Sequence, residues 1–577
     1  YGPGDWRLSG VLVASGNETA SGLSGDWRLA LESASGQMHE SADFGVYRLA
    51  EVWNDTDHWR QDHSGGVHAL NSRFARANAV TAKYLARREY LHPNPRARLE
   101  YLGSRKMAEL SYTVVRVTPR GGQPVELWFD PGSGLLARSV WQMPIDTLTI
   151  DYADYRRIAA ASGAAQLVPF KVTRQEGDAE ADIVTLAHAQ FVAQAAADEF
   201  VRPATPDDSS VAGGLVTVPI EYDGDVMVTA TLNGHGPLSF ILDTGGHDIL
   251  TPQAAAQLGL HGVGAGASGG AGAGTRTEQY TRVERVQIGG VTLRDQSFFI
   301  IPLQYGAVER GGQPPLAGIL GVELFERFAM ELNYRERTLS FRPLAHAPPG
   351  RGVPVPIRFS DDQPIVSAKI DGIEGDNGLD TGNSGSLVVQ GRWAHENGLA
   401  PRLRRGLQTA SFGAGGMSQN WATRVDLEVA GRRFPHVLAS YSEDQKGAFS
   451  SRTEAGNIGN QIYDNFTLAF DYGRNTVWFA PLPAHAPQPY SRAGMGLYKQ
   501  SPDSFTVVTV LPNGPAAQAG IENGDEVVGA NGTPARALSG WDMRRLARAA
   551  PGSKLTLEVK RNGQIRTAEL TLREMLP

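Results

Sequence analysis

The sequence predicts a multidomain, mainly β protein whose middle part is built from two equivalent lobes. Three observations support this: the length of 577 residues, one stretch that occurs twice, and short apolar runs separated by Gly, Pro and Asp turns. At about 150 residues per domain, a chain of this length holds several domains. The repeat matters most, because internal repeats dictate architecture.

The repeated stretch is an apolar run that ends in an acid, a hydroxyl and a glycine. The first copy reads Phe240-Ile241-Leu242-Asp243-Thr244-Gly245-Gly246, and the second reads Gly378-Leu379-Asp380-Thr381-Gly382-Asn383. Downstream, Gly318-Ile319-Leu320-Gly321 corresponds to Gly456-Asn457-Ile458-Gly459. Gly321 follows Asp243 by 78 residues, and Gly459 follows Asp380 by 79. Such apolar runs predict buried strands, and the glycines predict a tight turn after each.

The chemistry of two such acids depends on their being brought together. Two carboxylates on a pseudo-twofold axis do not both ionise easily, so the pair shares one proton. One member can then act as general base on a water, while the other donates a proton to a carbonyl oxygen. A single Asp-Thr-Gly is an ordinary turn sequence. Its occurrence twice favours a joint role for Asp243 and Asp380.

Over roughly residues 214–482 the paired motifs resemble those of the retropepsin-like aspartic proteases, doubled within one chain as in pepsin. The resemblance implies a bilobal pair of acid-protease β-barrels with Asp243 and Asp380 as the catalytic dyad. It implies that Thr244 and Thr381 interlock the two loops, and that the segments ending at Gly321 and Gly459 cross behind them. Gly245 and Gly382 would complete the support of the dyad. No metal or organic cofactor is implied, and a monomer would suffice because one chain contains both lobes.

The chain departs from the family pattern directly after each Asp-Thr-Gly, where family members usually have Ser, Thr or Ala. Gly246 and Asn383 have no hydroxyl there. A hydroxyl can donate a hydrogen bond to an ionised carboxylate and lower its pKa. We therefore expect weaker support of the ionised dyad and a shared proton that is held to higher pH.

The family resemblance also implies a mobile hairpin over the cleft in each lobe. Glycine-rich runs predict these hairpins around Gly269 and Gly270 in the first lobe and around Gly415 and Gly416 in the second. A plain surface loop is the alternative, above all for the longer first run. Tyr280 is the nearest counterpart of the flap tyrosine of pepsin.

Residues 1–201 predict a β-rich accessory domain with one helix from about Ser72 to Glu89. Val125–Asp130 and Asp151–Arg156 resemble parts of lipoprotein-carrier-type domains of bacterial envelope proteins. Such a domain would capture substrate, shield the cleft or act as a folding scaffold. A polar linker over residues 202–210 follows it. His58, His63 and His68 match no zinc-site spacing, so we expect them to be solvated loop residues.

The last part of the chain, from about residue 491, resembles a PDZ domain. Its carboxylate-binding loop would consist of Gly494, Met495, Gly496, Leu497 and Tyr498. Asn531-Gly532 predicts a tight hairpin, and Ser539 caps an amphipathic helix that runs to Ala550. PDZ domains bind an extended peptide by adding a strand to a sheet and hold its C-terminal carboxylate. The alternative is a groove that serves only for packing.

The composition of the chain limits the classes of partner and of chemistry that are possible. The net charge is −7, which argues against nucleic acid because phosphate binding needs clustered Lys and Arg. Cysteine is absent, so thiolate catalysis, thiolate metal sites and disulfides do not apply. No apolar run approaches the length of a membrane helix, about 18–20 residues. The chain opens at Tyr1, which is compatible with a removed signal peptide, and we expect a bacterial periplasmic or secreted protein.

The sequence therefore predicts four units: a β-rich accessory domain (1–201), two protease lobes (214–342 and 351–482) and an α+β PDZ domain (491–577). Together they predict an aspartic endopeptidase whose PDZ domain binds peptide or protein substrates through their free C-termini. The alternative from another class is a non-catalytic peptide-binding or envelope scaffold protein that uses the same cleft and groove. A lipid or lipoprotein carrier is a third interpretation and rests on the first domain alone.

Overall fold

The computed structural model describes residues 10–92, 95–159, 165–272, 274–304, 308–310, 313–413, 415–483 and 489–576. Ala273 and Ala414, within the two predicted glycine-rich runs, lie outside the described residues. The described strands form five separate sheets. The prediction of a mainly β, multidomain chain with a C-terminal PDZ domain is confirmed.

The N-terminal region forms one antiparallel sheet. Its described strands follow the order β6-β5-β4-β3-β2-β1-β13-β12-β11-β10-β9-β8-β7. Their bounds are β1 Val11–Ala20, β2 Leu23–Glu32, β3 Met38–Asp43, β4 Arg48–Trp53, β5 His58–Gln61, β6 Val67–Ala69, β7 Ala97–Met107, β8 Leu110–Pro119, β9 Val125–Phe129, β10 Leu136–Gln142, β11 Thr147–Ala159, β12 Ala165–Glu176 and β13 Asp182–Val192.

One α-helix, α1 (Arg73–Ala86), lies between β6 and β7 in the sequence. It begins after Ser72, whose side chain accepts a hydrogen bond from the N–H of Ala75, as an N-cap should. A short 3₁₀-helix follows at Glu89–Leu91. Thr81 of this helix is fully buried, and its hydroxyl donates to Gln123 O at 2.7 Å. Because its hydrogen bond is satisfied, Thr81 belongs to the packed face.

The next strands build the first lobe, and they begin inside the predicted linker. Their bounds are β14 Ser209–Val211, β15 Val216–Pro219, β16 Glu221–Tyr222, β17 Val226–Leu232, β18 His235–Leu242, β19 Ile249–Leu250, β20 Val263–Ser268, β21 Arg276–Ile288, β22 Val291–Ile300, β23 Gly318–Leu320, β24 Phe328–Asn333 and β25 Thr338–Pro343. Two α-helices accompany them, α2 (Pro252–Gln257) and α3 (Val322–Arg327). Strand β14 pairs with β22, so the linker residues from Ser209 onward are part of the lobe's sheet.

The second lobe repeats this arrangement. Its strands are β26 Val353–Pro356, β27 Arg358–Ser360, β28 Gln363–Ile370, β29 Ile373–Leu379, β30 Leu387–Gln390, β31 Leu407–Gly413, β32 Gly416–Val429, β33 Arg432–Ser442, β34 Gly456–Ile458, β35 Phe466–Asp471 and β36 Thr476–Pro481. Its α-helices are α4 Gly391–Glu396, α5 Ala400–Leu403 and α6 Asn460–Tyr463. Further 3₁₀ turns lie at Ala212–Gly214, Leu344–His346, Ala448–Ser450 and Tyr472–Arg474.

The strand pairing shows the internal repeat directly. In the first lobe β18 runs parallel to β23 and β19 parallel to β22. In the second lobe β29 runs parallel to β34 and β30 parallel to β33. A third sheet, of order β15-β25-β24-β35-β36-β26, contains strands from both lobes. The lobes also share one hydrophobic core, so they pack as a unit.

The C-terminal sheet has the order β37-β38-β39-β41-β42, with β40 paired to β39. Its strands are β37 Met495–Ser501, β38 Ser504–Val510, β39 Glu526–Ala530, β40 Thr533–Pro534, β41 Lys554–Arg561 and β42 Gln564–Thr571. Two α-helices, α7 Pro515–Gln518 and α8 Gly540–Ala547, and a 3₁₀ turn at Ala535–Ala537 complete it. Ser539 and Asp542 form a capping box at the start of α8. None of the helices in the described part of the chain is both long and apolar enough to cross a membrane.

A buried polar cluster joins the N-terminal sheet to the first lobe. The fully buried guanidinium of Arg327, at the end of α3, donates to both oxygens of Asp208 at 3.0 and 2.9 Å. It also lies 3.4 Å from Asp62 of the N-terminal region. Nearby, the buried side chains of His68 and Glu326 pair across the same boundary. The two regions are therefore held together by buried, desolvated ionic groups.

The prediction that His58, His63 and His68 are solvated loop residues is wrong. His58 and His68 lie in β5 and β6 and are 9% and 2% exposed. The ring of His63 packs edge-on against Phe299 of the first lobe. Burial lowers the pKa of His63 to about 4, with the charge of His247 a further cause. Sequence spacing alone did not show that the first lobe covers His63 and His68.

We expect Arg327→Met to destabilise the chain strongly, because Asp62 and Asp208 would keep buried charges without a cation. Removing one partner of a buried ion pair costs about 3–5 kcal/mol. The measurement is the urea midpoint of unfolding, followed by tryptophan fluorescence. Arg351→Met is the matched control, since Arg351 is 80% exposed and 3.5 Å from Glu331, and exposed pairs contribute about 0–1 kcal/mol. Equal midpoints for the two variants would contradict a stabilising role of the cluster.

Candidate active site

The two Asp-Thr-Gly loops emerge at equivalent points of the two lobes. Asp243 directly follows β18, and its N–H donates to Leu320 O at 3.0 Å. Asp380 directly follows β29, and its N–H donates to Ile458 O at 3.1 Å. Each acid is thus fixed to the strand that runs parallel to its own. The parallel pairing positions both loops at the junction of the lobes.

The two threonines interlock these loops by four hydrogen bonds. The N–H of Thr244 donates to Thr381 Oγ1 at 3.0 Å, and the N–H of Thr381 donates to Thr244 Oγ1 at 3.0 Å. The hydroxyls donate onward, from Thr244 to Leu379 O at 2.6 Å and from Thr381 to Leu242 O at 2.8 Å. Both threonines are completely buried. Each hydroxyl therefore accepts one bond and donates another across the lobe boundary.

The glycines around the acids are explained by close approach. A Cβ atom on Gly382 would lie 2.4 Å from Asp243 Cγ, and one on Gly245 would lie 3.3 Å from Asp380 Cγ. Behind the loops, a Cβ on Gly321 would lie 2.2 Å from Gly246 O, and one on Gly459 would lie 2.4 Å from Asn383 O. A side chain at three of these four positions would force the loops apart. The structure thus brings together all eight of the predicted dyad and dyad-supporting residues.

Burial raises the pKa of both carboxyl groups. The pKa of Asp243 lies well above its usual range because the group is buried and because Asp380 places a second negative charge beside it. Burial also raises the pKa of Asp380, and hydrogen bonds from Asn457, Gly382 and Asn383 oppose this rise. The two carboxyl groups lie close enough for each to shift the pKa of the other. The pair can therefore hold one proton where isolated aspartic acids are ionised.

The expected weakening of hydrogen-bond support does not hold for Asp380, which accepts three N–H donors. The N–H groups of Gly382 and Asn383 donate to Asp380 Oδ1 at 2.8 and 3.0 Å. The side chain of Asn457 donates to Asp380 Oδ2 at 2.8 Å. Asn383 itself does not donate from its side chain to Asp380; its amide donates to Asn457 Oδ1 at 2.7 Å. Asn457, in the segment that crosses behind the loop, thus supplies the side-chain hydrogen bond that the missing hydroxyl would have donated.

Sequence reasoning missed Asn457, although a signal was present. In Gly456-Asn457-Ile458-Gly459 an amide stands where the first repeat has Ile319. Where one repeat has an apolar strand residue and the other has a polar one, the polar side chain is expected to have a hydrogen-bond partner nearby. The reason is that buried polar groups are hydrogen-bonded. Comparing the two repeats position by position would have found it.

A second missed feature lies beside the first loop. His247 contacts Glu323 Oε1 through Nδ1 at 2.9 Å and Asp362 Oδ2 through Nε2 at 3.2 Å. Although burial opposes it, the charges of Glu323 and Asp362 raise the pKa of His247 well above its usual value. Glu323 belongs to the first lobe and Asp362 to the second, so a protonated His247 bridges the lobes near Asp243. Among the described residues, no group of three or more His, Asp or Glu is arranged to hold a metal ion.

The two glycine-rich runs contact each other. The first lies in the hairpin β20–β21 and the second in β31–β32. The N–H of Gly415 donates to Ala271 O at 2.8 Å, and the N–H of Gly274 donates to Gly415 O at 2.7 Å. Gly270 O accepts from Ala448 N at 3.0 Å, and Gly416 has a φ of +106°, which favours glycine. Gly269 lies in the same turn, directly after β20.

Each hairpin is also held from outside the protease lobes. Ser21 O, in the β1–β2 turn, accepts from the N–H of Ala265 in the first hairpin at 2.6 Å. The ring of Phe412, in the second hairpin, stacks on Tyr498 with centroids 4.4 Å apart and planes at 16°. Tyr280, on the first hairpin, is buried against Tyr47 of the N-terminal region, and its hydroxyl donates to Glu278 at 2.7 Å. Tyr280 is therefore part of a domain contact.

The predicted carboxylate-binding loop is mostly strand. Only Gly494, with a φ of +69°, stands outside; Met495, Gly496, Leu497 and Tyr498 belong to β37. That strand is an edge of the described C-terminal sheet. Its Lys499 is buried and pairs with Glu309 of the first lobe at 2.8 Å. On α8, Trp541 packs on Gly224 so closely that a Cβ there would lie 2.3 Å from the indole ring.

Comparison with known proteins gives two family matches. Residues 228–324 match the family model of aspartyl proteases, and residues 492–572 match that of PDZ domains. The chain thus contains an aspartyl-protease-like domain and a PDZ domain, as the sequence motifs predict. A search of curated proteins found no match.

Solved structures give distant likenesses. An aspartic proteinase from Irpex lacteus is 13% identical, with 46% of this chain and 97% of that chain covered and a TM-score of 0.31. A LolA superfamily protein from Nitrosomonas europaea is 11% identical, with 34% and 93% covered and a TM-score of 0.24.

We expect Thr381→Val to destabilise the lobe junction, because it removes the acceptor for Thr244 N–H and the donor to Leu242 O. A buried group left without its partner costs about 1–3 kcal/mol. The midpoint of thermal unfolding measures this loss. Thr571→Val is the matched control, since that threonine is exposed in β42. A Thr381→Val midpoint as high as that of the control would show that the interlock contributes nothing.

Proposed function

We propose that this chain is an aspartic endopeptidase in which Asp243 and Asp380 activate a water between them. One observation carries the proposal: two partly buried carboxyl groups, one from each lobe, lie beside each other on loops locked by four hydrogen bonds. Buried carboxyl pairs that share one proton suit general acid–base work. The match of residues 228–324 to aspartyl proteases supports the same conclusion.

In the proposed reaction, the ionised carboxylate takes a proton from water as the oxygen attacks the peptide carbonyl. The protonated carboxyl donates to the carbonyl oxygen, which gives a tetrahedral diol. Collapse of the diol, with proton transfer to the amide nitrogen, breaks the C–N bond and releases an amine and an acid. No acyl-enzyme forms, and the scheme assigns no role to a metal or an organic cofactor.

The glycine-rich hairpins around Gly269, Gly270, Gly415 and Gly416 are proposed as flaps that cover an extended substrate. Their hydrogen bonds to each other support this, because they lie between backbone atoms that a peptide backbone can replace. Both lobes belong to one chain, so we propose that a monomer is sufficient.

The PDZ domain is proposed to bind the free C-terminus of a substrate. The edge position of β37 supports this, since an extended peptide can add to an edge strand. Gly494, Met495, Gly496, Leu497 and Tyr498 would supply the carboxylate-binding backbone. The ring of Tyr498 stacks on that of Phe412, so this edge lies next to the proposed second flap.

The proposed units are residues 1–201, 214–342, 351–482 and 491–577, and the proposed location is the bacterial periplasm or the exterior. The location rests on the resemblance of the first unit to lipoprotein-carrier-type domains. Fractionating cells that express the full-length gene tests it, because a cytoplasmic protein would contradict it.

We expect Asp243→Asn and Asp380→Asn each to lower kcat/KM for peptide cleavage by about 100-fold to 10,000-fold, because each removes one half of the acid–base pair. Cleavage of a random peptide library, with the cuts mapped by mass spectrometry, provides the substrate and the assay. The control is Asp295→Asn in the same lobe, where the side chain is 67% exposed.

Near-normal cleavage by either dyad variant would contradict the assignment. Binding of library peptides without cleavage by the unaltered chain would favour the non-catalytic peptide-binding protein instead.

We expect long peptides with a free C-terminus to be cleaved with a kcat/KM about tenfold higher than their amidated twins. Binding at the PDZ domain raises the local concentration of the cleavage site at the dyad. Short peptides that fill only the cleft should show equal rates in both forms and serve as the control. Equal rates for the long pair would show that the PDZ domain does not recognise the carboxylate.

A further inference from the structure

The two carboxyl groups of the candidate dyad have unequal surroundings. Asp380 accepts hydrogen bonds from two backbone N–H groups and from the side chain of Asn457. Asp243 Oδ1 accepts from the N–H of Gly245 at 2.7 Å. The position equivalent to Asn457 in the first lobe is Ile319, whose side chain has no donor. The equivalent of Asn383 is Gly246, which has no side chain to hold such a donor.

The direction of the Asn457 amide is fixed by a chain of hydrogen bonds that starts at the backbone. The N–H of Gly385 can only donate, and it lies 2.8 Å from Asn383 Oδ1. The Nδ2 group of Asn383 therefore faces Asn457 Oδ1, at 2.7 Å. This leaves Nδ2 of Asn457 to face Asp380 Oδ2, at 2.8 Å. Asn457 is 4% exposed, so water does not compete for these contacts.

A carboxylate with three N–H donors is stabilised in its ionised form, because each donor strengthens as the oxygens gain charge. We infer that Asn457, oriented by Asn383, is a positioning residue that keeps Asp380 ionised and leaves the shared proton on Asp243. Asp380 is then the general base that takes the proton from water. Asp243 is the general acid that donates to the carbonyl oxygen. This assignment deepens the proposed function and rests on it only for the effect on cleavage.

Other titratable groups face the pair and have to be separated from it. Tyr463 of α6 and Tyr472 lie near Asp380 and Asp243, and burial raises the pKa of both phenols well above the usual value. They stay uncharged wherever the dyad titrates. Asp225, in the β16–β17 turn, also faces Asp380, and burial raises its pKa to about 6. Asp225→Asn is therefore a necessary control in any pH profile.

The first test labels the ionised carboxylate and needs no catalytic activity. An aryl glycidyl ether reacts with a carboxylate: the oxygen attacks the terminal epoxide carbon, the ring C–O bond breaks, and the alkoxide takes a proton from solvent to leave a hydroxyalkyl ester. The full-length chain is treated and digested, and mass spectrometry locates the ester. We expect about tenfold more ester on Asp380 than on Asp243, since one pKa unit separates populations tenfold.

The second test uses variants that copy the first lobe. Asn457→Ile combined with Asn383→Gly gives the second lobe the residues that the first lobe already tolerates at these positions. We expect the excess of ester on Asp380 to fall, because Asp380 then keeps only its two backbone donors. Ile319→Asn alone leaves the second lobe untouched and should bring label onto Asp243, which keeps the inference testable if the double variant folds poorly.

The third test is the pH profile of kcat/KM on one peptide. Without the Asn457 donor, the acidic limb should move up by about one pH unit, because ionised Asp380 has lost a hydrogen bond to a charged group. The alkaline limb should not move, because Asp380 is ionised on both sides of that limb and the lost hydrogen bond affects both states equally. A merely structural role would lower the maximum and move neither limb. Asp225→Asn should leave the acidic limb in place.

The outcomes separate this inference from the proposed function. Label mainly on Asp243, or no label on Asp380, in the unaltered chain overturns the inference. So does an unchanged label ratio in the double variant. A chain that cleaves no peptide, but carries its label mainly on Asp380 and loses that excess in the double variant, refutes the peptidase and supports the unequal pair.

Discussion

The reciprocal hydrogen bonds of Thr244 and Thr381 are the contact on which the centre of the molecule depends. Each threonine bonds the opposite loop through both its N–H and its hydroxyl, so neither loop has this conformation without the other. Both side chains are completely buried, which makes an unpaired partner costly. The sheet that combines strands of both lobes fixes the relative position of the two loops from below. Together these constraints hold the carboxyl groups of Asp243 and Asp380 side by side at the junction of the lobes.

That shared environment explains why so many glycines surround the acids. The loops approach until Gly382 lies against the carboxyl group of Asp243, and the segments at Gly321 and Gly459 lie against the loop backbones from behind. Small residues are needed wherever two backbones meet without space for a side chain. The same proximity excludes water, which raises the pKa of both carboxyl groups. The glycines, the threonine hydrogen bonds and the raised pKa values therefore all follow from the close approach of the two loops.

Much of this centre could be predicted from the sequence, because it is a local pattern that occurs twice. The strands that end at Leu242 and Leu379, their turns and the crossing segments follow from residues within a few positions of each other. The roles of Asn457 and His63 could not be predicted in the same way. Asn457 meets Asp380 across a gap of 77 residues, and His63 is buried by Phe299 of another domain. Local periodicity does not report contacts between distant segments, so these residues looked ordinary.

The two glycine-rich hairpins are linked to the domains on either side of the lobes. The first glycine-rich hairpin is held by Ser21 O at Ala265 N, and the second stacks through Phe412 on Tyr498 of β37. If either hairpin lifts, it breaks one of these contacts as well as the hydrogen bonds at Gly415. Helix α8, beyond the same C-terminal sheet, packs through Trp541 on Gly224, whose carbonyl accepts from Asn460 at 2.9 Å. The Asn460 amide also donates to Thr381 O at 2.7 Å. The C-terminal domain therefore contacts the second hairpin directly through Tyr498, and it is connected to the loop that carries Asp380 only through Gly224 and Asn460.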